Sequence, residues 1–373
     1  MKKLIFRNIF KDITYFFLLA SLSITLIVWV IQSVNFLDYV TEDGHGLGVY
    51  ATYSLLSLPK IFSRLTLFIF FISTFYVLFR YEENNEISIF WTHGVKKIEF
   101  VNNFIKFSFI FVIIQLVFSY LIVPSSQEKA RSLFKSSNID YFPSILKSKF
   151  FNDAIEDVTI FIGEKDLNGN LKEIFLMDSK KNNRGSQIIL SKSGKLIKKN
   201  DNFFLILKNG NIINLDSKKS NILQFTQSEF NLSKYSSKTT TYPKVQETSS
   251  NTLIKCLNFL IIEKSKLANK IFNCDQQNIE TVKKELYKRL GVPLYIFLIG
   301  LISSTLILKS KRSKNFNYFT LIIFAFGFSA IVVSEVSVQF ISTDALNNFA
   351  IALGPIIFTL LLYVLIRINL KFG

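Results

Sequence analysis

Hydrophobic and polar positions divide this chain into three long apolar runs, a polar middle, and three more apolar runs. The runs are Ile13 to Val34, a stretch ending at Phe79, Phe104 to Val123, Leu290 to Leu308, Phe316 to Ser334 and Phe349 to Ile366. About 20 mostly apolar residues cross the hydrocarbon core of a bilayer. Each run is also apolar all round, whereas a helix on a globular surface is amphipathic. The pattern predicts an α-helical membrane protein with six transmembrane helices, three on each side of an inserted segment, and excludes a soluble enzyme. Leu253 to Ile262 is too short to span and reads as an interfacial or core helix. The N-terminus begins basic (Lys2, Lys3, Arg7, Lys11), but no small-residue cleavage site follows the first apolar run. That run therefore reads as a retained span, not a removed signal peptide.

In the polar middle the period shortens to that of strands. Val158 to Gly163 and Ile174 to Met177 flank Asp166-Leu167-Asn168-Gly169, and Phe203 to Leu207 and Ile212 to Leu215 flank Asn209-Gly210. Both read as hairpins, the second more strongly because Asn-Gly favours a left-handed turn. Gln187 to Leu190 and Ile222 to Phe225 add strands at the spacing of a sandwich or barrel. The expected organisation places spans one to three in residues 1–123 and an antiparallel, jellyroll-like β domain in 124–250. A connector follows in 251–289, and spans four to six occupy 290–373. Ser233 to Asn251 is rich in Ser and Thr, the composition of an exposed connection. The connector is Lys-rich, with helical character from Ile279 to Leu290. Its two cysteines, Cys256 and Cys274, can pair, but two residues do not make a framework.

Charge sets an expected orientation, because Lys and Arg near span ends favour the cytoplasm. The N-terminal tail is basic. Arg80, Lys96, Lys97 and Lys106 flank the second loop, and Lys309, Lys311, Arg312 and Lys314 fill the fourth. The first loop instead carries Asp38, Glu42 and Asp43, and the fifth carries Asp344. Both termini are thus expected in the cytoplasm of a bacterial inner-membrane protein, with the polar middle outside. That middle holds 28 Lys and Arg against 17 Asp and Glu between Pro124 and Leu290, about +11 of the chain's formal +17. Long domains translocate largely regardless of charge. The excess fits a solvated, Lys- and Asn-heavy surface, or one that meets anionic lipid head groups or acidic partners. No nucleic-acid partner and no cofactor is expected.

No catalytic constellation emerges. The two histidines, His45 and His93, fall far apart and on opposite sides of the expected membrane, so a histidine metal site is not expected. No phosphate-binding G-x-x-x-x-G-K-[ST] loop exists, since Ser193-Gly194-Lys195 lacks the upstream glycine and is followed by leucine. Of intramembrane acids that would mark a proton relay, Glu335 alone stands out, at the outer end of the fifth span, where an interfacial role is commoner. Any driving energy is expected from a partner.

The loop between spans two and three shows where a partner could push. Tyr81-Glu82-Glu83-Asn84-Asn85-Glu86 leads into Ile87-Ser88-Ile89-Phe90-Trp91-Thr92-His93-Gly94-Val95-Lys96-Lys97. Asn84 or Asn85 can cap a short helix at about 84–95, Glu86 sits near its positive end, and Gly94 closes it. Ile89 and Phe90 would dock into an apolar groove, with Glu86 pairing to an arginine. An ordinary amphipathic connector on the inner leaflet has the same pattern.

At these residues the chain resembles the permeases of the lipopolysaccharide exporter, the LptF/LptG family. Its coupling-helix signature is Ser-Glu-Leu-x-x-Met-x-Ala-x-Gly-like. Glu86 matches the glutamate and Gly94 falls at the right distance, while Asn85, Phe90 and Thr92 replace the serine, methionine and alanine. The first-span exit Gln32-Ser33-Val34-Asn35-Phe36-Leu37-Asp38 looks like the LptF side of the family. Leu58-Pro59, Pro124 and the stretch Glu285-Leu286-Tyr287-Lys288-Arg289-Leu290-Gly291-Val292-Pro293-Leu294 match as well. The resemblance covers essentially the whole chain. It implies a non-catalytic permease that pairs with an LptG-like permease, is driven by an LptB-like ATPase dimer, and passes lipopolysaccharide to an LptC-like periplasmic bridge protein.

Four basic residues are candidates to touch the substrate. Lys60 and Arg64 lie four apart at the outer end of the second span, hence on one face. An arginine inside a span costs about 2.5–3.5 kcal/mol at mid-membrane, less near the interface. A phosphate, bound in bidentate fashion by guanidinium, would offset that cost, as would snorkelling to ordinary head groups. Lys288 and Arg289 at the entrance of the fourth span invite the same two readings. A membrane-anchored receptor or scaffold with an outer β domain is the rival from another class, though six spans exceed what anchoring requires.

Overall fold

The computed structural model describes residues 2–37, 47–133, 148–155, 157–166, 169–179, 185–199, 202–216, 220–232, 244–261, 274 and 278–372. The acidic residues of the first loop (Asp38, Glu42, Asp43), His45, and most of the Ser- and Thr-rich connection lie outside them. The chain divides into two compact units. One comprises Met1–Ile31, Leu56–Glu128 and Lys244–Gly373, the other Gln32–Leu55 and Lys129–Pro243.

The first unit is helical. Among the described residues, six helices are long and apolar enough to cross a membrane: Lys2–Phe36, Leu47–Glu83, Lys97–Leu133, Ile279–Leu308, Phe316–Gln339 and Leu346–Leu370. We label the regular helices α1 (Lys2–Phe36), α2 (Leu47–Glu83), α3 (Ile87–Thr92) and α4 (Lys97–Val117). After the sheet come α5 (Ser250–Ile261), α6 (Ile279–Leu290), α7 (Tyr295–Ser304), α8 (Phe316–Gln339) and α9 (Ala345–Phe372). Helix α4 runs on through a π-helical turn, Phe118–Ile122, and α6 reaches α7 through a short 3-10 turn, Val292–Leu294.

In lipid the hydrophobic effect does not drive helices together, so they associate through close van der Waals packing and small residues. The chain's 40 phenylalanines supply much of that surface. Phe70, Phe71, Phe100 and Phe104 are fully buried in one core fed by α1 to α4 and α7 to α9. Close approach is made by glycine. A Cβ on Gly300 would lie 2.1 Å from Ser108 Oγ, and one on Gly327 2.1 Å from the Phe71 ring. Polar side chains inside the bundle bond within it: the Thr74 hydroxyl donates to Phe70 O at 2.8 Å and to Ser303 Oγ at 3.1 Å.

The second unit holds the C-terminal end of α1 and the N-terminal end of α2, tied by Ser33 Oγ to Ser54 Oγ at 2.7 Å and by Tyr50 Oη donating to Ser33 O at 3.0 Å. Its larger part is one antiparallel sheet: β1 (Phe151–Ile155), β2 (Val158–Lys165), β3 (Asn170–Asp178), β4 (Gly185–Lys199), β5 (Asn202–Asp216) and β6 (Ser220–Asn231). The strands are neighbours in sequence order, a meander. The hairpin expected around residues 166–169 joins β2 to β3, with Gly169 at φ +75° and its N–H on Asp166 O.

The second expected hairpin is not one. Phe203–Leu207 and Ile212–Leu215 belong to a single strand, β5, which pairs continuously with β4 and β6. Asn209 does take the left-handed conformation (φ +54°), and so does Glu173 (φ +53°). Here that conformation bends a strand instead of reversing it. The inward-facing set changes parity across these residues: Leu171 then Ile174 on β3, and Leu207 then Ile212 on β5. One left-handed residue rotates the next peptide to the opposite face, and the sheet turns a corner. Gly210 is required beside it, because a Cβ there would sit 2.1 Å from Leu190 O. Asn-Gly specifies the backbone conformation, not what the strand does next.

Candidate functional site

Two places in the helical unit carry the residues singled out by sequence, one near the middle of α2, where Lys60 and Arg64 lie, and one just past its C-terminal end. The first is a cavity. Lys60 and Arg64 project from one face of α2, and Glu285, Lys288 and Arg289 from one face of α6, because residues three and four apart share a helix face. Both faces line the same cavity of about 80 Å³, with Gln115 and Ser119 from the α4 span and Glu335 from α8. The four basic residues thus converge although more than 220 positions separate the two pairs.

They are not equivalent. Arg289 is buried, and four of its N–H groups are taken by this chain. Nε donates to Glu285 Oε1 at 2.9 Å, one Nη to Thr248 O at 3.0 Å and Ser250 Oγ at 2.8 Å, and the other Nη to Gln246 O at 3.0 Å. Guanidinium has five N–H donors, so this arginine, expected as a head-group contact, is a clamp. It holds the returning segment 244–250 to the start of the fourth span. The π-helical turn of the third span completes the junction. Ser119 Oγ donates to Arg289 O at 2.7 Å, and Ser250 Oγ donates to Tyr120 O at 2.7 Å. Such turns are rare inside α-helices and recur at functional sites.

Lys60, Arg64 and Lys288 are different: among the described residues none of them forms a hydrogen bond or ion pair. Lys60 sits within electrostatic reach of Arg64 and Lys288, with Glu247 and Glu285 in partial compensation. With Glu285 held by Arg289, Glu335 is the remaining carboxylate on the wall among the described residues. Like charges gathered against low-dielectric surroundings repel, and an anion entering the cavity would relieve them. A buried amide adjoins them. Gln115 Nε2 donates to Ser63 O at 2.7 Å, which fixes the amide's orientation, while its Oε1 has no partner among the described residues.

The second place is the short helix α3, set between two turns of one kind. At the end of α2, Asn85 takes φ +59°; its N–H bonds to Glu82 O, and the Glu86 N–H bonds to Tyr81 O. At the end of α3, Gly94 takes φ +73°; its N–H bonds to Trp91 O, and the Val95 N–H bonds to Phe90 O. Both are Schellman closures, which need a left-handed residue and favour Gly or Asn there. Gly94 closes the helix as expected. Asn84 and Asn85 do not cap it: Asn85 terminates the preceding helix, and Ser88 Oγ bonds back to Asn85 O. Glu86 stands at the N-cap position with no capping bond, its carboxylate accepting from Asn84 Nδ2 at 3.0 Å.

Phe90, expected to dock into a partner, is 1% exposed. Its ring packs on Phe6 at 5.3 Å and Phe100 at 5.2 Å. It anchors α3 to the bundle. The free face carries Ser88, Ile89, Thr92 and His93, with Ile89 45% exposed. Below it, the fourth loop is pinned to α2. The buried Glu82 carboxylate accepts the Lys311 backbone N–H at 2.8 Å, and Lys311 Nζ donates to Glu83 O at 3.0 Å.

Gln115, Ser119 and Glu82 were not singled out by sequence. An amide in an apolar run is the one signal that could have marked Gln115, whereas Glu82 is indistinguishable from exposed Glu83 without the fold. An uncharacterized protein of Rickettsia prowazekii (strain Madrid E) is 24% identical over 358 residues, covering 93% of this chain and 91% of that one. The family described as lipopolysaccharide export system permease LptF/LptG matches residues 7–369. With that match spanning the helices and the inserted sheet, the chain belongs to the lipopolysaccharide export system permease LptF/LptG family.

Proposed function

We propose that this lipopolysaccharide export permease is the LptF-type subunit of an ABC exporter. It pairs with an LptG-like permease, is driven by an LptB-like ATPase dimer, and hands lipopolysaccharide to an LptC-like bridge protein. It lies in the bacterial inner membrane with both termini cytoplasmic and the sheet in the periplasm. The basic residues flanking α3 and filling the fourth loop support that orientation. The observation that carries the reading is the trio Lys60, Arg64 and Lys288 on one cavity without a hydrogen-bonding or ion-pair partner among the described residues. Three cations held so are a receptor for the phosphates of a lipid head group, with Arg64 as the bidentate ligand. Family membership makes the substrate lipopolysaccharide.

In this reading the α3 end receives the ATPase. Ile89 fills an apolar groove, Glu86 pairs with an arginine of the partner, and Phe90 and Gly94 hold the helix rigid against the bundle. A push on α3 is delivered to α1 and α4 through the Phe6–Phe90–Phe100 contacts and to α2 through the Asn85 turn that joins the two helices. Since α2 also carries Lys60 and Arg64, ATPase movement reaches the cavity along one helix. The test is photocrosslinking of lipopolysaccharide to the assembled exporter in membranes. Arg64→Ala and Lys60→Ala are expected to lower crosslinking at least fivefold, and Glu86→Ala to lower lipopolysaccharide-stimulated ATP hydrolysis while crosslinking persists. Unchanged crosslinking in an Arg64→Ala/Lys60→Ala double variant would overturn the cavity's role.

A further inference from the structure

We propose that Cys256 and Cys274 are joined by a thiol–disulfide oxidoreductase on the periplasmic side, and that the bond seats α6, the helix that forms one wall of the cavity. The periplasmic placement of the pair rests on the orientation proposed above. These are the chain's two cysteines. They are bonded to each other, and each is 2% exposed.

The bond sits in a separate small core. Leu253 and Cys256 come from α5, Val282 and Leu286 from α6, and Cys274 from the segment between them. Among the described residues, five buried side chains are few to hold two amphipathic helices together. A cross-link between positions 18 residues apart removes many of the conformations that would compete. Val282 and Leu286 lie four apart and face this core, and Glu285 and Arg289, three residues on from each, line the cavity with Lys288 on the adjoining surface of α6. Whatever seats the first face positions the second.

The chemistry balances with a named oxidant. The thiolate of one cysteine attacks the disulfide of the oxidoreductase, forming a mixed disulfide and releasing one partner thiolate. The second cysteine's thiolate then attacks the mixed disulfide, and the partner leaves as a dithiol. The chain's two thiols give up two protons and two electrons, and the electrons reduce the partner's disulfide. Thiols are kept reduced in the cytosol, so the pair persists outside it. Burial of both sulfurs places the exchange before this core closes, and afterwards shields the bond. It is a staple, not a switch.

The full chain in native membranes provides the test. With free thiols trapped by maleimide–polyethylene glycol, wild type is expected to show no addition without reductant and two additions after reduction in denaturant. Cys256→Ala and Cys274→Ala should each leave one thiol, which the loosened core exposes to a membrane-impermeant maleimide in spheroplasts. Trypsin should cut the 283–289 stretch at least tenfold faster in the Cys256→Ala/Cys274→Ala variant. If that variant does not accumulate, wild type from cells lacking periplasmic thiol oxidants supplies the same comparison. Free thiols in wild-type membranes would overturn the bond, and unchanged cleavage would overturn the seating. Neither result touches the export reading. Labelling of the single thiols only from the cytosolic side would overturn both this proposal and the orientation.

Discussion

Removing the buried guanidinium of Arg289 should be among the most damaging single changes in the helical unit. Its side chain is 4% exposed and its partner Glu285 15% exposed. Arg289→Ala deletes four hydrogen bonds made by a charged donor, each worth about 1.5–3 kcal/mol in isolation. These do not add, because one loss lets the others relax. Breaking one side of a buried ion pair costs about 3–5 kcal/mol, since it strands the other charge, and that range is our expectation for Arg289→Ala. Glu285→Ala leaves Arg289 three neutral acceptors and should cost about 1–3 kcal/mol. Once either partner is gone, removing the second relieves a stranded charge, so the double variant should be less destabilised than the sum by about 1–3 kcal/mol. The assay is unfolding of the purified full chain in mixed micelles by added SDS, followed by tryptophan fluorescence, for wild type, both single variants and the double. Additivity within about 0.5 kcal/mol, or an Arg289→Ala cost below about 1 kcal/mol, would refute the clamp.

Other expectations follow from the same structure. Phe90→Ala empties a fully buried ring site and should cost about 3–5 kcal/mol, whereas Ile89→Ala should stay within about 0.5 kcal/mol. The order reverses for ATPase retention, where Ile89→Ala lowers co-purification of the ATPase from a stably folded permease. Gly94→Ala forces a side chain into the left-handed region at about 1–2 kcal/mol, read by the same titration. Gly327→Leu should cost about 1–3 kcal/mol or more by overpacking against Phe71, and Phe71→Ala introduced with it should recover part of the loss. Glu82→Gln keeps an acceptor for the Lys311 N–H and should be nearly silent, while Glu82→Leu strands that donor at about 1–3 kcal/mol. Limited proteolysis at Lys309–Lys314 would report the difference.

Features governed by neighbouring residues could be read from the chain alone. The six spans follow from apolar length. The helix over Ile279–Leu290 and the hairpin with Asp166 and Gly169 follow from local period and turn chemistry. The short helix closed by Gly94 follows from a left-handed stop signal. Each is settled within one contiguous stretch, about 20 residues for a span and fewer for a turn or cap, where steric and hydrogen-bonding preferences act. Features that depend on what arrives from elsewhere could not be read this way. Asn209-Gly210 carries the signal of a hairpin, yet the close approach of Leu190 O makes it a corner inside one strand. Six residues of α3 show too little period to say that Phe90 faces inward and Ile89 outward; Phe6 and Phe100 make that choice. The meeting of Lys60 and Arg64 with Lys288, the capture of Arg289 by the 244–250 segment, and the pairing of Cys256 with Cys274 are likewise contacts across chain distance. Their energies reside in burial and in partners that a one-dimensional string does not contain, so only packing in three dimensions assigns them.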